Sequence, residues 1–177
     1  MVMLVILAVM FVVYDFSAPD EVYEIREEAL LATPAPAPVP TWTRYDVPLE
    51  DGLQRYIGSL CETYGVPTEI VLAIIERESD FDTFTLGDNG ESYGLMQIWQ
   101  SQHLDRCIRL EAYNLFEPMD NIRVGVDYLA ELIDWGYGLD YALSWYNGNG
   151  GRLPCGYVDD IHARAEAIAA TATIEIY

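Results

Sequence analysis

Residues 33 to 40 read TPAPAPVP, with proline at every second position and small residues between. Each proline fixes its own φ and removes a backbone donor, so the run favours polyproline II and no packed helix or sheet continues through it. It therefore divides the chain. Residues 1 to 18 are expected as an apolar signal or anchor segment, 19 to 47 as an acidic and then Pro-rich linker, and 48 to 177 as one folded domain beginning near Val47. That remainder is long enough to bury a core of its own.

Residues 1 to 14, MVMLVILAVMFVVY, carry no charge. They are fewer than the roughly 20 residues of a membrane-spanning helix but suit the apolar part of an export signal. No basic residue precedes Arg26, and Phe16-Ser17-Ala18-Pro19 is a poor cleavage site because Phe16 is large and Pro19 follows. Export and an uncleaved membrane attachment through residues 1 to 14 both stay open.

With 29 Asp+Glu against 9 Lys+Arg, the net charge of -20 repels phosphate backbones and anionic membrane surfaces, which argues against a nucleic acid partner. A hydrophobic content of 51% and an aromatic content of 12% set the chain apart from acidic disordered sequences, so the charge is a solvated surface on a folded body. Cys61, Cys107 and Cys155 form no CxxC pair and have no His cluster of metal-ligand spacing beside them, and neither a metal nor an organic cofactor is implied. Two of them can pair outside the cytoplasm, or all three can be buried apolar side chains.

Helical signals dominate after residue 48. One helix is expected near 49 to 64, ended by Gly65, and a second near 67 to 79 with Pro67 in its first turn. Segment 85 to 98, TLGDNGESYGLMQI, is rich in turn residues and reads as a loop or short β-hairpin before a brief extended run. Asp120 or Asn121 can cap a helix carrying Ile122, Val126, Leu129 and Ile133 that stops at Gly136. Further helices follow near 139 to 147 and 157 to 170, and the β-prone tail TATIEIY has no evident partner. The fold class is mostly α.

One carboxylate stands out. At about 100° per residue, Glu78 falls within the stripe of Ile70, Val71, Ile74 and Ile75, whereas Glu69 and Glu76 project from the opposite side toward water. An ionised carboxylate against apolar side chains is costly, so such a group raises its pKa and holds a proton near neutrality, as a general acid must. The bland alternative is a Glu that frays into solvent or pairs with a buried Arg.

The surrounding string decides between these. Glu78-Ser79 with Phe81, then Tyr93-Gly94-Leu95-Met96-Gln97-Ile98, then Asn114-Leu115-Phe116-Glu117-Pro118 through Asn121-Ile122 and Gly125, then Tyr146-Asn147, occur in that order. Over roughly residues 50 to 170 the chain resembles the soluble lytic transglycosylase (SLT) domain, although Leu115 stands where that family usually has Pro and Tyr93 where a small residue is commoner.

The resemblance implies a lysozyme-like (goose-type/SLT) helical domain with at most a short β-hairpin, and a glycan groove between the Glu78 helix and the 139 to 147 helix. It implies cleavage of peptidoglycan glycan strands between N-acetylmuramic acid and N-acetylglucosamine outside the cytoplasmic membrane. Glu78 would first protonate the glycosidic oxygen and then take the proton of the muramoyl C6 hydroxyl, giving a 1,6-anhydro product. Ser79 would bond the Glu78 carboxyl or cap the helix, Gly94 would admit a sugar close to the backbone, Met96 would supply an apolar wall, and Gln97 would bond a hydroxyl or acetamido group. Tyr146 would reach Glu78 or the leaving sugar, Asn147 would cap its helix or touch sugar, and Tyr157 would line the groove.

Two rivals remain open at this point. A goose-type lysozyme would hydrolyse the same bond with a second carboxylate about 5 to 9.5 Å from the first, for which Asp80, Asp82, Asp88 and Glu91 are near enough in sequence. A glycan-binding module, alone or within an envelope-spanning machine, would have kept the fold without turnover. Trp42, Trp99, Trp135 and Trp145 can stack on sugars or serve the core.

Overall fold

The computed structural model describes residues 39 to 176; the apolar segment and the linker up to residue 38 lie outside the described residues, and the expectations placed on them with it. The chain enters through β1 (Thr41–Arg44), which pairs antiparallel with β5 (Thr173–Ile176), Thr41 opposite Ile176 and Arg44 opposite Thr173. The folded part thus starts before the expected boundary near Val47, and the β-prone tail has a partner. The two halves of this ribbon sit at opposite ends of the domain sequence, so neither carries a local signal of the other.

Six helices follow among the described residues: α1 (Asp51–Tyr64), α2 (Thr68–Ser79), α3 (Leu104–Arg109), α4 (Pro118–Asp134), α5 (Leu139–Tyr146) and α6 (Gly156–Ala169). Gly65, at φ 68°, ends α1 in the left-handed conformation that a glycine adopts without penalty. Between α2 and α3, segment 85 to 98 forms a small antiparallel sheet, β2 (Leu86–Gly87), β3 (Ser92–Tyr93) and β4 (Ile98–Trp99).

Helix α2 is the centre of the core. Val71, Leu72, Ala73, Ile74 and Ile75 are all fully buried, so the middle of the helix is covered all round and not along one stripe. It packs chiefly on α6 and also on α1, while α4 packs on α1 and α5. The covering changes the reading of its outer carboxylates. Glu69 accepts a 2.7 Å hydrogen bond from the Tyr45 hydroxyl and Glu76 pairs with Arg164 on α6 at 2.9 Å, so both are half-buried and partnered and neither faces open water.

Helix α4 begins earlier than the cap signals suggested. Glu117 is the capping residue, its carboxylate accepting from the Asp120 amide at 3.0 Å, and Pro118 opens the helix. Asp120 turns outward to accept from the amides of Tyr113 and Asn114, and Asn121 is completely buried. All three cysteines are free thiols. Cys61 and Cys107 are buried, and burial pushes the Cys61 thiol up to about 12.

Candidate active site

Glu78 is the next-to-last residue of α2, and the close packing of α2 on α6 brings the Tyr157 hydroxyl to it: Tyr157 donates to Glu78 Oε1 at 2.7 Å. Burial raises the Glu78 carboxyl above its ordinary value; the Tyr157 bond and the Arg77 charge pull it down, and the Asp88 charge pushes it up again. Desolvation wins, and the group is biased toward its protonated form. Burial and the Glu78 charge hold Tyr157 far above the ordinary phenol range, so it stays a donor.

Glu78 opens onto a cleft of about 690 Å³. Arg77 and Glu78 of α2 form one part of its wall, Gly87, Asp88 and Ser92 of the small sheet another, and Gln97 to Trp99 a third. Gln102, His103 and Tyr128 continue it, and Trp145 to Gly148, where α5 ends, complete it. The cleft therefore joins the two helices between which a groove was expected.

The segment Tyr93 to Ile98 is held from behind by Asn121. Its Oδ1 accepts from the Met96 amide at 2.8 Å, and its Nδ2 donates to the carbonyl oxygens of Tyr93 at 2.7 Å and Leu115 at 2.9 Å. A side chain at Gly94, which has φ 70°, would run into Leu115 O and the Asn121 carboxamide. Gln97, also at positive φ, turns its carboxamide back so that Nε2 donates to Thr85 O at 3.1 Å and Gly94 O at 2.9 Å, over a Gly87 that leaves room for Gln97 Oε1.

Of the residues singled out in the sequence, Glu78, Gln97, Tyr146 and Asn147 line the cleft and Tyr157 is bonded to Glu78. Three stand behind it. Met96 is fully buried with its side chain against Gly125 of α4, so it is no wall for a sugar. Ser79 is buried, with Oγ 2.9 Å from the carbonyl oxygens of both Ile75 and Leu95, and does not bond the Glu78 carboxyl. Gly94 serves close packing on Asn121 and Leu115 in place of sugar approach. Tyr146 lines the cleft, but its hydroxyl donates to Met96 O at 2.8 Å, and it is Tyr157 that reaches Glu78.

Among the four carboxylates weighed as a second acid, Asp88 alone lines the cleft, with Oδ2 accepting from Ser92 Oγ at 2.5 Å. Asp82 instead accepts from the Phe84 amide in its own turn. Trp99, 40% exposed, and Trp145 line the cleft, while Trp135 packs edge-on against Trp145 and Trp42 lies under Arg55. Sequence reasoning passed over Tyr128, although it follows Asn121 and Gly125 at helical spacing on one face of α4. It also passed over His103, for which no periodic signal exists.

The family described as transglycosylase SLT domain matches residues 55–154. Membrane-bound lytic murein transglycosylase C of Klebsiella pneumoniae (strain 342) is 28% identical over 147 residues, covering 73% of this chain and 41% of the relative. The protein of the same description from Salmonella typhi is 31% identical over 94 residues, covering 48% of this chain and 26% of the relative. The chain thus spans less than half the length of these curated relatives.

Proposed function

The chain belongs to the transglycosylase SLT domain family, and from that premise we propose that it is a peptidoglycan lytic transglycosylase with Glu78 as its single acid/base. The observation that carries this reading is a partly buried carboxyl, biased toward its protonated form and hydrogen-bonded to Tyr157, on the wall of a cleft large enough for sugar rings.

In the first step the Glu78 carboxyl gives its proton to the oxygen linking N-acetylmuramic acid to N-acetylglucosamine, and the C1–O bond breaks with its electron pair leaving on that oxygen. In the second, the muramoyl C6 hydroxyl attacks C1 while the Glu78 carboxylate takes its proton. No water is consumed and the carboxyl is restored. The Tyr157 hydroxyl donates to the carboxylate between the steps, when it carries its full charge.

The relatives' description as membrane-bound murein enzymes supports action outside the cytoplasmic membrane, with residues 1 to 14 as attachment or export segment and glycan strands as the partner. Work within an envelope-spanning machine is compatible with this placement. Among the described residues no helix is long and apolar enough to cross a membrane.

One observation favours a second reading. Asp88 shares the cleft with Glu78, as the second carboxylate of a hydrolase would have to. Mass spectrometry of muropeptides released from peptidoglycan separates the two. Anhydro ends that vanish in Glu78→Gln are expected; reducing ends would establish a hydrolase, and unchanged release by Glu78→Gln would remove Glu78 from the mechanism.

A further inference from the structure

His103 lines the cleft and has no part in the steps above. It follows the 3₁₀ turn Gln100–Gln102 and precedes α3, and its ring packs against Tyr128 with centroids 4.4 Å apart; Tyr128 in turn packs on Tyr146 at 5.4 Å. Its Nδ1 lies 2.8 Å from Arg106 Nη1.

Arg106 is held on every side. Nε donates to Asp127 Oδ2 at 2.7 Å, Nη2 pairs with Glu131, and the guanidinium lies 5.0 Å from the Tyr128 ring centre. Asp127 is fixed further by Arg109, whose Nη2 reaches the same Oδ2 at 2.6 Å.

A guanidinium has only donors to offer, so Nδ1 of His103 must be the bare, accepting nitrogen and Nε2 must carry the proton. Burial and the Arg106 charge together push His103 down to about 4, which keeps the ring neutral. Nε2 has no hydrogen-bond partner among the described residues. The side-chain atoms there that are both fully buried and unpartnered are Arg123 Nε and Trp145 Nε1, so Nε2 keeps some contact with solvent. A donor of fixed tautomer, neutral and unpartnered on a cleft wall, matches an uncharged oxygen acceptor. Glu78 and Asp88 in the same cleft disfavour a carboxylate.

We propose that His103 is a sugar-binding residue, donating Nε2–H to the carbonyl oxygen of a substrate N-acetyl group, with Arg106 as the residue that sets its tautomer. This rests on the reading of the cleft as a glycan site. It concerns which group of the glycan is recognised there, not how the bond is cut.

The full chain has two histidines, so ¹⁵N-histidine NMR resolves both, and a His162→Gln variant assigns them. His103 is expected in the Nε2–H form at neutral pH. That resonance should shift on addition of hexa-N-acetylchitohexaose, which carries acetamido groups without lactyl or peptide substituents, and not on addition of cellohexaose, which has hydroxyls in their place. His103→Ala should weaken chitohexaose binding about tenfold, the worth of one hydrogen bond, and His103→Gln, whose amide N–H can stand near Nε2, should recover most of it. An Nδ1–H tautomer, or tryptophan fluorescence reporting chitohexaose binding while His103 stays unmoved, overturns the proposal and leaves the glycan cleft standing. Failure of the chain to bind either chitohexaose or peptidoglycan overturns both.

Discussion

Asn121→Ala tests the physical account of the site most directly. Asn121 is fully buried, and its carboxamide is satisfied by three bonds that tie β3, the Leu115 turn and the Met96 amide to the first turns of α4. Removing the side chain deletes about 1 kcal/mol for each bond and leaves the Met96 N–H buried without a partner, so the expected loss is about 3 to 4 kcal/mol. A urea titration followed by tryptophan fluorescence should place the midpoint about 1.5 to 2 M lower at an unchanged slope. Asn121→Asp keeps the acceptor for Met96 but sets a carboxylate oxygen against two carbonyl oxygens, and should be no more stable than the alanine variant. A loss below about 1 kcal/mol for alanine, or an aspartate variant as stable as the parent, would refute the reasoning.

Two further perturbations address the acid and the packing behind it. Tyr157→Phe removes the donor that stabilises the Glu78 carboxylate, so the carboxyl, already raised by burial, should rise further; the alkaline limb of kcat/KM should move to higher pH with kcat down about tenfold, and a limb that stays or moves to lower pH sinks the assigned role. Gly125→Ala gains about 1 kcal/mol of helix propensity but drives a methyl into the fully buried Met96 side chain, which costs about 1 to 3 kcal/mol; a lowered Tm is expected, and a raised one would show that Met96 has room to yield.

The helices were legible where a periodic apolar face or a terminating glycine marked them. Gly65 ends α1 as expected, and the apolar spacing of Ile122, Val126, Leu129 and Ile133 marks α4 although its cap lies at Glu117. Helix α3 was not legible, because six residues give too short a window for any period to show. The pairing of β1 with β5 was invisible for another reason, that register between distant segments is set by the packed body between them. In the site, Glu78 announced itself as a carboxylate within an apolar stripe. Its bond to Tyr157 did not, since it depends on how α2 and α6 meet.

The motif residues that hold the Leu95–Met96 backbone explain why several separated motifs belong together. The Leu95 carbonyl is held by Ser79 of α2, the Met96 amide by Asn121 of α4, and the Met96 carbonyl by Tyr146 of α5, each at 2.8 or 2.9 Å. Three helices thus fix two adjacent residues of backbone from three directions. The residue that follows, Gln97, is delivered into the cleft at positive φ, a conformation that persists only where the surroundings over-determine it. Loss of any one tether would leave Glu78 in place but loosen the cleft wall beside it, and the proposed chemistry requires such geometry to within a fraction of an ångström. The ordered series of short motifs is therefore one mechanical unit, in which most members act by holding backbone, while Glu78 faces the cleft with the Tyr157 hydroxyl bonded to it.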